Sequence, residues 1–301
     1  MQRCLQLARM GIQEARPNPL VGAVIVADGR IIGEGYHVRC GEGHAEVNAF
    51  ASVRAGDEHL LPDATIYVSL EPCAHYGKTP PCAELIIRKG VRRVVVGCTD
   101  PFAKVKGRGI QMLRDAGIEV TVGVLEKECQ WLNRHFFTFH EKQRPYILLK
   151  WAQSKDGFID KDGCAVAFST PFTKMLVHKL RAEYDAILVG RTTWEREQPA
   201  LTVREWHGRN PHRFVLSSSC GIDDVIAQCA DSSLQSLIVE GGRKTLQSFI
   251  DRSLYDEIRI ETSPITLTSG TPVPTLPLNL CTISQEQWDD NTIVTLIPDN
   301  K

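Results

Sequence analysis

Three residues of the types that zinc favours fall in one order along the first hundred positions. His44-Ala45-Glu46 comes first, Pro72-Cys73 follows, and Pro81-Cys82 stands eight residues beyond Cys73. Zinc takes nitrogen and thiolate ligands in a tetrahedral array, and its catalytic sites keep one position for water. One histidine and two cysteines supply three ligands and leave that position open. Glu46 lies two residues past His44, where a helix begins. From there it would face the metal water without binding the metal, take a proton from it and return the proton to a leaving amine. Cys82 opens a second helix, whose macrodipole favours a thiolate. Singly, each cysteine is an ordinary buried cysteine and His44 a satisfied core histidine. For the ordered set, with Glu46 and both prolines in place, that reading fails. A closed structural zinc site would need a fourth ligand. His75 is the candidate for it, but Glu46 would then have no role.

These residues need elements to hold them. Leu20 to Val26 is an apolar run, Asp28-Gly29 a turn dipeptide, and Ile31 begins a second strand, so the pair reads as a hairpin. His44 to Val53 has helical character, and Thr65 to Leu70 is a strand. Cys82 to Lys89 is a helix between Pro81 and Gly90. Val91 to Cys98 is a strand, Gly109 to Ala116 a helix, Ile118 to Val124 a strand, and Leu125 to His140 one further helix. An amphipathic helix leads the chain. This order implies a layered α/β domain. The polar stretch 141–145 ends in Pro145, which discourages helix at Arg144. It divides a domain of residues 1–143 from one of 144–301. The second α/β pattern has strands at Tyr146–Ala152, Ala186–Val189, Arg213–Leu216, Ser236–Glu240, Glu257–Glu261 and Asn291–Leu296. Its helices are Pro171–Glu183 and Arg243–Asp251.

The bulk numbers exclude several classes. With 35 basic and 36 acidic residues the net charge is −1, which argues against a nucleic-acid or membrane-surface binder. The ten cysteines are dispersed along 301 residues, unlike a secreted disulfide scaffold. No apolar run suits a signal peptide or a membrane span. A reducing, cytoplasmic location and a homo-oligomer, dimer or tetramer, are expected.

A His-x-Glu with a later Pro-Cys pair is the pattern of zinc deaminases acting on amino-heterocycles. Here the insert between the cysteines is long and contains Ala74-His75-Tyr76-Gly77-Lys78-Thr79-Pro80. With Pro17-Asn18-Pro19, Val21-Gly22, Gly35-Tyr36-His37 and the run from His44 to Phe50, it resembles the bifunctional deaminase–reductase family of riboflavin biosynthesis. The resemblance continues through Arg144-Pro145, Leu149-Lys150, Ser154-Lys155-Asp156-Gly157, Leu180-Arg181-Ala182, Asp185 to Gly190, Leu201-Thr202-Val203-Arg204 and Val239-Glu240-Gly241-Gly242. It implies a cytidine-deaminase-like domain followed by a dihydrofolate-reductase-like domain. The first would deaminate a diaminopyrimidinone carrying a ribosylamino phosphate, and the second would reduce the ribose to ribitol with NADPH.

By the same resemblance Asn18, His37, His75 and Lys78 line the deaminase pocket. Lys150, Arg181, Leu201, Arg204 and Glu240 touch the reductase substrate. Gln153, Ala167, Thr193, Glu197 and the segment Gly242, Arg243, Lys244, Thr245, Leu246, Gln247, Ser248 touch NADPH. The residue types suit these tasks. Amide and imidazole groups match a pyrimidinone edge, arginine's planar fork matches a phosphate, and a Gly-Gly turn opening a helix lets a phosphate approach backbone N–H groups. Three features depart from the family pattern. Glu197 stands where an aspartate is usual, Ala167 where a tryptophan is common, and the stretch from Ser217 to Gln235 is short. It is expected to lack a strand and part of a helix. Three other readings remain: a deaminase whose second domain only binds or assembles, a non-enzymatic zinc module, and a nucleic-acid deaminase. Intact Glu46 speaks against the zinc module, and the missing basic strip against the nucleic-acid deaminase.

Overall fold

A computed structural model describes residues 1–76, 80–102 and 107–299. The chain falls into two compact units, Met1–Lys142 and Gln143–Lys301, each with its own sheet.

In the first unit, α1 (Gln2–Arg9) leads into a hairpin of β1 (Gly22–Ala27) and β2 (Arg30–Tyr36). Asp28 and Gly29 both take positive φ, 50° and 72°, as the type I′ turn of an Asp-Gly hairpin requires. Then come α2 (Ala45–Ala51), a 3-10 helix (Ala55–Asp63), β3 (Thr65–Leu70), α3 (Cys82–Lys89), β4 (Arg93–Cys98), α4 (Arg108–Asp115) and β5 (Glu119–Val122). The sheet order is β2-β1-β3-β4-β5. β1 runs antiparallel to β2 and β3, and β3, β4 and β5 run parallel. Ile25, Ile66, Val94 and Val96 fill the sheet's side of the core, with Ala49, Ile86 and Leu113 from the helices against them. Each large aliphatic side chain buried this way contributes roughly 1.5–3 kcal/mol. Helix α2 lies unusually close to β2, because a Cβ at Gly35 would collide with the backbone of Ala45 and Ala49. That glycine sets the depth of the helix that carries Glu46.

The single helix expected over Leu125–His140 is two, α5 (Glu126–Leu132) and α6 (Arg134–Lys142). The break is at Asn133. Its Oδ1 accepts from the Leu20 N–H at 2.7 Å and its Nδ2 donates to the Leu20 carbonyl at 2.9 Å. Both bonds are buried, and satisfying the Leu20 peptide outweighs one more helical turn.

The second unit contains β6 (Tyr146–Gln153), α7 (Pro171–Glu183), β7 (Ala186–Gly190), α8 (Arg191–Glu197) and β8 (His212–Leu216). It continues with α9 (Ile222–Asp231), β9 (Ser236–Val239), α10 (Arg243–Asp251), β10 (Glu257–Thr262), β11 (Leu280–Trp288) and β12 (Asn291–Pro298). The sheet order is β11-β12-β10-β6-β9-β7-β8. β10, β6, β9, β7 and β8 are parallel, while β12 is antiparallel to both β10 and β11. Helices α8 and α9 and strand β11 were not in the expected pattern. Helix α9 lies within the short stretch 217–235 and has ten residues. It survives because Val225 and Cys229, four apart, bury one face, and Asp224 accepts from the Gly221 N–H at 2.8 Å. Strand β11 was not anticipated, since as an edge strand it buries too little to give an apolar pattern.

Burial pushes the α6 imidazoles down, His140 below the ordinary range and His135 well below it. The unfolded chain takes up these protons near pH 6.5 and the folded unit does not. Their contribution to stability is therefore full above ~6.5 and falls as pH drops below it. Calorimetric melting of the first unit is expected at a lower temperature at pH 5.5 than at pH 7.5. Equal melting at the two values would mean that neither histidine is held neutral.

Candidate active sites

The first site is built where two helices begin. His44 is the N-cap of α2, and Cys82 is the first residue of α3 after Pro81. Cys73 lies on the loop that leaves β3. His44 Nδ1 stands 3.3 Å from Cys82 Sγ and 3.6 Å from Cys73 Sγ, and the Cys82 N–H donates to Cys73 Sγ at 3.2 Å. The three ligand atoms all lie within 4.8 Å of one another. Two sulfurs and an imidazole nitrogen converging on one point are a donor set that suits zinc. The Cys73 thiol is held well below the ordinary range by the hydrogen bond from Cys82, with His44 adding to the effect. His75 is exposed and stands edge-on to Phe102 at 6.4 Å, outside this group. A fourth protein ligand is therefore absent among the described residues. Lys78 lies outside them.

Glu46 sits in the first turn of α2 and is 3% exposed. Burial pushes its carboxyl up to about 7, the range in which a group both takes and gives protons at neutral pH. His37 stands beside His44, and Asn18 beside His37. His37 Nδ1 donates to the Gly43 carbonyl at 3.1 Å, and Nε2 is 3.0 Å from Asn18 Nδ2. The carbonyl can only accept, so Nδ1 carries the proton. The neutral ring then accepts from Asn18 at Nε2, which turns Asn18 Oδ1 away from the histidine. Burial holds His37 below the ordinary imidazole range, in keeping with a neutral ring. The His37 and His44 rings meet edge to face at 5.4 Å.

Sequence reasoning passed over Glu71. It is 4% exposed, and its two oxygens accept four backbone N–H groups. These come from Gly109 and Ile110 at 3.0 and 3.3 Å, and from Gly107 and Asp100 at 2.9 and 3.2 Å. It ties the start of α4 to the loop that bears Cys73. The only signal was an acid directly before Pro72-Cys73.

The second site is a cleft of about 480 Å³ within the second unit. Of the expected residues it is lined by Lys150, Thr193, Glu197, Glu240, Gly242, Arg243, Lys244 and Thr245, and also by Trp151, Asp160, Phe168 and Thr271, which sequence reasoning missed. It opens where β6, β7 and β9 end and α10 begins, with β9 inserted between β6 and β7. Ligands of open α/β sheets bind at such a place. Gly241 packs so tightly on Thr245 that a Cβ there would clash with its side chain. Behind the cleft Arg181 Nη2 pairs with Glu240 Oε2 at 2.7 Å. Burial alone would push Glu240 up, but Lys150 and Arg181 more than offset it and hold the carboxyl below the usual range. Arg181 Nε and Glu240 Oε1 are buried without a partner among the described residues. Orphans of this kind cost ~1–3 kcal/mol each, and a polar ligand would satisfy them.

Other expected residues lie off the cleft wall. Leu246 is wholly buried in the core. Gln247 bonds Asp251 and Thr275, and Ser248 bonds the Thr245 carbonyl. Gln153 accepts from the Trp151 indole at 2.8 Å. Ala167 is exposed between Val166 and Phe168, which both line the cleft. Leu201 is 3% exposed, and Arg204 Nη1 donates to Thr202 Oγ1 at 2.8 Å.

Comparison with known proteins adds to this geometry. The family described as the cytidine and deoxycytidylate deaminase zinc-binding region matches residues 1–98, and the RibD C-terminal domain matches residues 145–227. The chain is 35% identical to the riboflavin biosynthesis protein RibD of Aquifex aeolicus, over 90% of its own length and 87% of that protein's. It is 40% identical to the RibD of Synechocystis, over 91% and 72%. A crystal structure from Thermotoga maritima is similar with a TM-score of 0.92 at 34% identity, covering 99% of this chain and 97% of that one. That protein is a diaminohydroxyphosphoribosylaminopyrimidine deaminase/5-amino-6-(5-phosphoribosylamino)uracil reductase. Acinetobacter baumannii RibD is similar with a TM-score of 0.88 at 29% identity.

Replacing Glu71 with glutamine leaves one acceptor oxygen and turns an amide NH2 toward backbone donors. Glu71→Gln is expected to destabilise the first unit by ~2–4 kcal/mol and to weaken zinc retention roughly ten- to a hundredfold. Urea unfolding and competition with a chromophoric chelator measure the two. Unchanged values in both would mean that other contacts fix the loop.

Proposed function

The chain belongs to the RibD family of riboflavin biosynthesis proteins, and we propose that it performs both activities named for its Thermotoga relative. The first is hydrolytic deamination of 2,5-diamino-6-(5-phosphoribosylamino)pyrimidin-4-one. The second is NADPH-dependent reduction of the ribose to ribitol. The observation that carries the reading is the buried Glu46 beside His44, Cys73 and Cys82, in a chain whose second unit keeps the Lys150–Glu240–Arg181 cleft.

Zinc held by His44, Cys73 and Cys82 supplies, when bound, an activated water. Glu46 moves the protons. Its carboxylate takes one from the attacking water and delivers one to the departing amino nitrogen, so that ammonia leaves and a carbonyl remains. Asn18, fixed by His37, offers its amide oxygen to the heterocycle's N–H edge, and the family resemblance assigns His75 and Lys78 to substrate binding as well. In the second unit NADPH supplies reducing equivalents when bound. Gly242, Arg243, Lys244 and Thr245 at the start of α10, with Thr193 and Glu197, hold it. Arg181 and Arg204 take the phosphate, and Lys150 and Glu240 hold the sugar's reacting end. Leu201 packs against it. Gln153 and Ala167 flank the cofactor, and Leu246, Gln247 and Ser248 support the helix that binds it. No helix among the described residues is long and apolar enough to cross a membrane, and all ten cysteines are free. Both facts suit a cytoplasmic enzyme, which we take to assemble as a dimer or tetramer.

The test is incubation of purified protein with the diaminopyrimidinone ribotide, with and without NADPH, and identification of the products by mass. Replacement of the amino group by oxygen is expected in both cases, with two added hydrogens only when NADPH is present. Glu46→Gln is expected to keep zinc and to lose deamination by roughly 10²–10⁴-fold or more, while still reducing deaminated substrate. A variant near full deaminase activity would mean that another group moves the proton. Chelation of zinc is expected to abolish the first activity and spare the second. Loss of both on chelation would show that the reductase needs the metal.

A further inference from the structure

The stretch from Pro199 to Pro211 contains neither helix nor strand, yet it presents Arg204, one of the two arginines assigned to the phosphate. It leaves α8 through Gln198 at φ 41° and passes Leu201 at φ 52°, both in the left-handed region that side chains disfavour. A ladder of hydrogen bonds does not fix this backbone. Side chains do, and most of them come from α7.

His178 lies on α7, one turn before Arg181, and is 1% exposed. Its Nδ1 accepts from the Arg204 backbone N–H at 3.0 Å. Two neighbours on α7 hold the following residues: Lys174 Nζ is 3.1 Å from Glu205 Oε1, and Lys179 Nζ lies 5.4 Å from the centre of the Trp206 ring. Both of those contacts are exposed and weak. Arg181 meets the same strap at Thr202, whose carbonyl takes its Nη1 at 3.5 Å while the Thr202 hydroxyl takes Arg204 Nη1 at 2.8 Å. The two guanidinium groups thus converge on one residue. Of the bonds from α7 that place the strap, the one to His178 is made to backbone N–H at Arg204 itself.

We infer that His178 is the positioning residue of the reductase phosphate site: its Nδ1, acting only as an acceptor, fixes the Arg204 backbone so that Arg204 and Arg181 present a two-armed clamp to the substrate's phosphate. The inference rests on the reductase reading. His178 itself does not touch substrate. Its ring must stay neutral to accept at Nδ1, and its surroundings enforce this. Burial opposes a proton there most, and Arg181 and Lys174 on its own helix and Arg204 on the strap add to it, with Glu205 as the opposing charge. Beyond Arg181, Glu240 is already committed to that arginine. Asparagine at this position could still accept with its Oδ1 near the place of Nδ1, without being able to titrate. Alanine could not.

The experiment compares His178→Ala and His178→Asn with the unaltered full chain. It reads reductase KM and kcat, the Kd for ribose 5-phosphate by calorimetry without NADPH, and the Kd for NADPH by fluorescence. For His178→Ala, KM and the ribose 5-phosphate Kd are each expected to rise about tenfold, the effect of one buried hydrogen bond. kcat and the NADPH Kd should stay within about twofold. His178→Asn should recover most of the lost affinity. Unchanged phosphate affinity in His178→Ala would overturn the inference. So would equal weakening of NADPH binding, which would mark a general packing role, or an asparagine variant no better than alanine. The sugar-phosphate arm needs no turnover. A chain that bound ribose 5-phosphate without reducing the ribotide would contradict the reductase reading, and the comparison of Kd values would still decide the role of His178.

Discussion

Two helices that begin at the same point give the first unit its chemistry. The N-cap of α2 and the first residue of α3 bring His44 and Cys82 together, and each helix directs the positive end of its peptide dipoles at that point. A field of this sign favours thiolates and the negative charge that grows on an attacking water. The convergence has structural requirements. α2 must lie close to β2, hence glycine at position 35. The loop after β3 must bring Cys73 to the N–H of Cys82, hence the four bonds of Glu71 that hold the start of α4 against that loop. Glu46 is then buried by the helix that places His44, and its raised proton affinity follows chiefly from that burial. One arrangement of backbone thus fixes the candidate ligands, the field and the buried carboxylate.

The second unit solves a different problem, the binding of anionic groups by a chain of net charge −1. It gathers cations locally. Insertion of β9 between β6 and β7 places Lys150 and Glu240 at neighbouring strand ends, and α7 brings Arg181 to the same carboxylate. One buried carboxylate between two cations leaves a net positive charge. Glu240 Oε1 and Arg181 Nε have no hydrogen-bond partner among the described residues, and unsatisfied buried groups of this kind are uncommon in a folding core.

The sequence was most readable where an element is closed by local chemistry. Strand Thr65–Leu70 and helices Cys82–Lys89, Pro171–Glu183 and Arg243–Asp251 stand at the residues expected. Proline, glycine and the Thr170 cap mark their ends within a few positions. The group of His44, Cys73 and Cys82 was readable for a similar reason, since each lies in a short motif of its own. What escaped notice depends on partners far along the chain. Asn133 breaks a helix to bond a peptide 113 residues away, and Glu71 takes its four N–H groups from 29 to 39 residues beyond it. Neither leaves a periodic trace. Leu246 errs in the other direction. It stands within a segment expected to touch cofactor, but a helix turns one residue in three or four to the core, and Leu246 is that residue.

The stretch between β8 and β9 lies apart from the second site. A parallel strand in this sheet needs a crossover long enough to return the chain to its start, and α9 with its flanking residues provides the one from β8 to β9. The cleft draws its walls from the ends of β6, β7 and β9, from α8 and the start of α10, and from segments 159–168 and 271, with no contribution from residues 217–235. Glu197 stands on a different footing, because it lines the cleft itself, at the end of α8. Its additional methylene moves a carboxylate by about one bond length at the wall of a site in which geometry controls rate. Of the three departures that the resemblance leads one to expect, only the one at Glu197 falls on a residue lining the cleft, and Ala167 is exposed between two cleft residues.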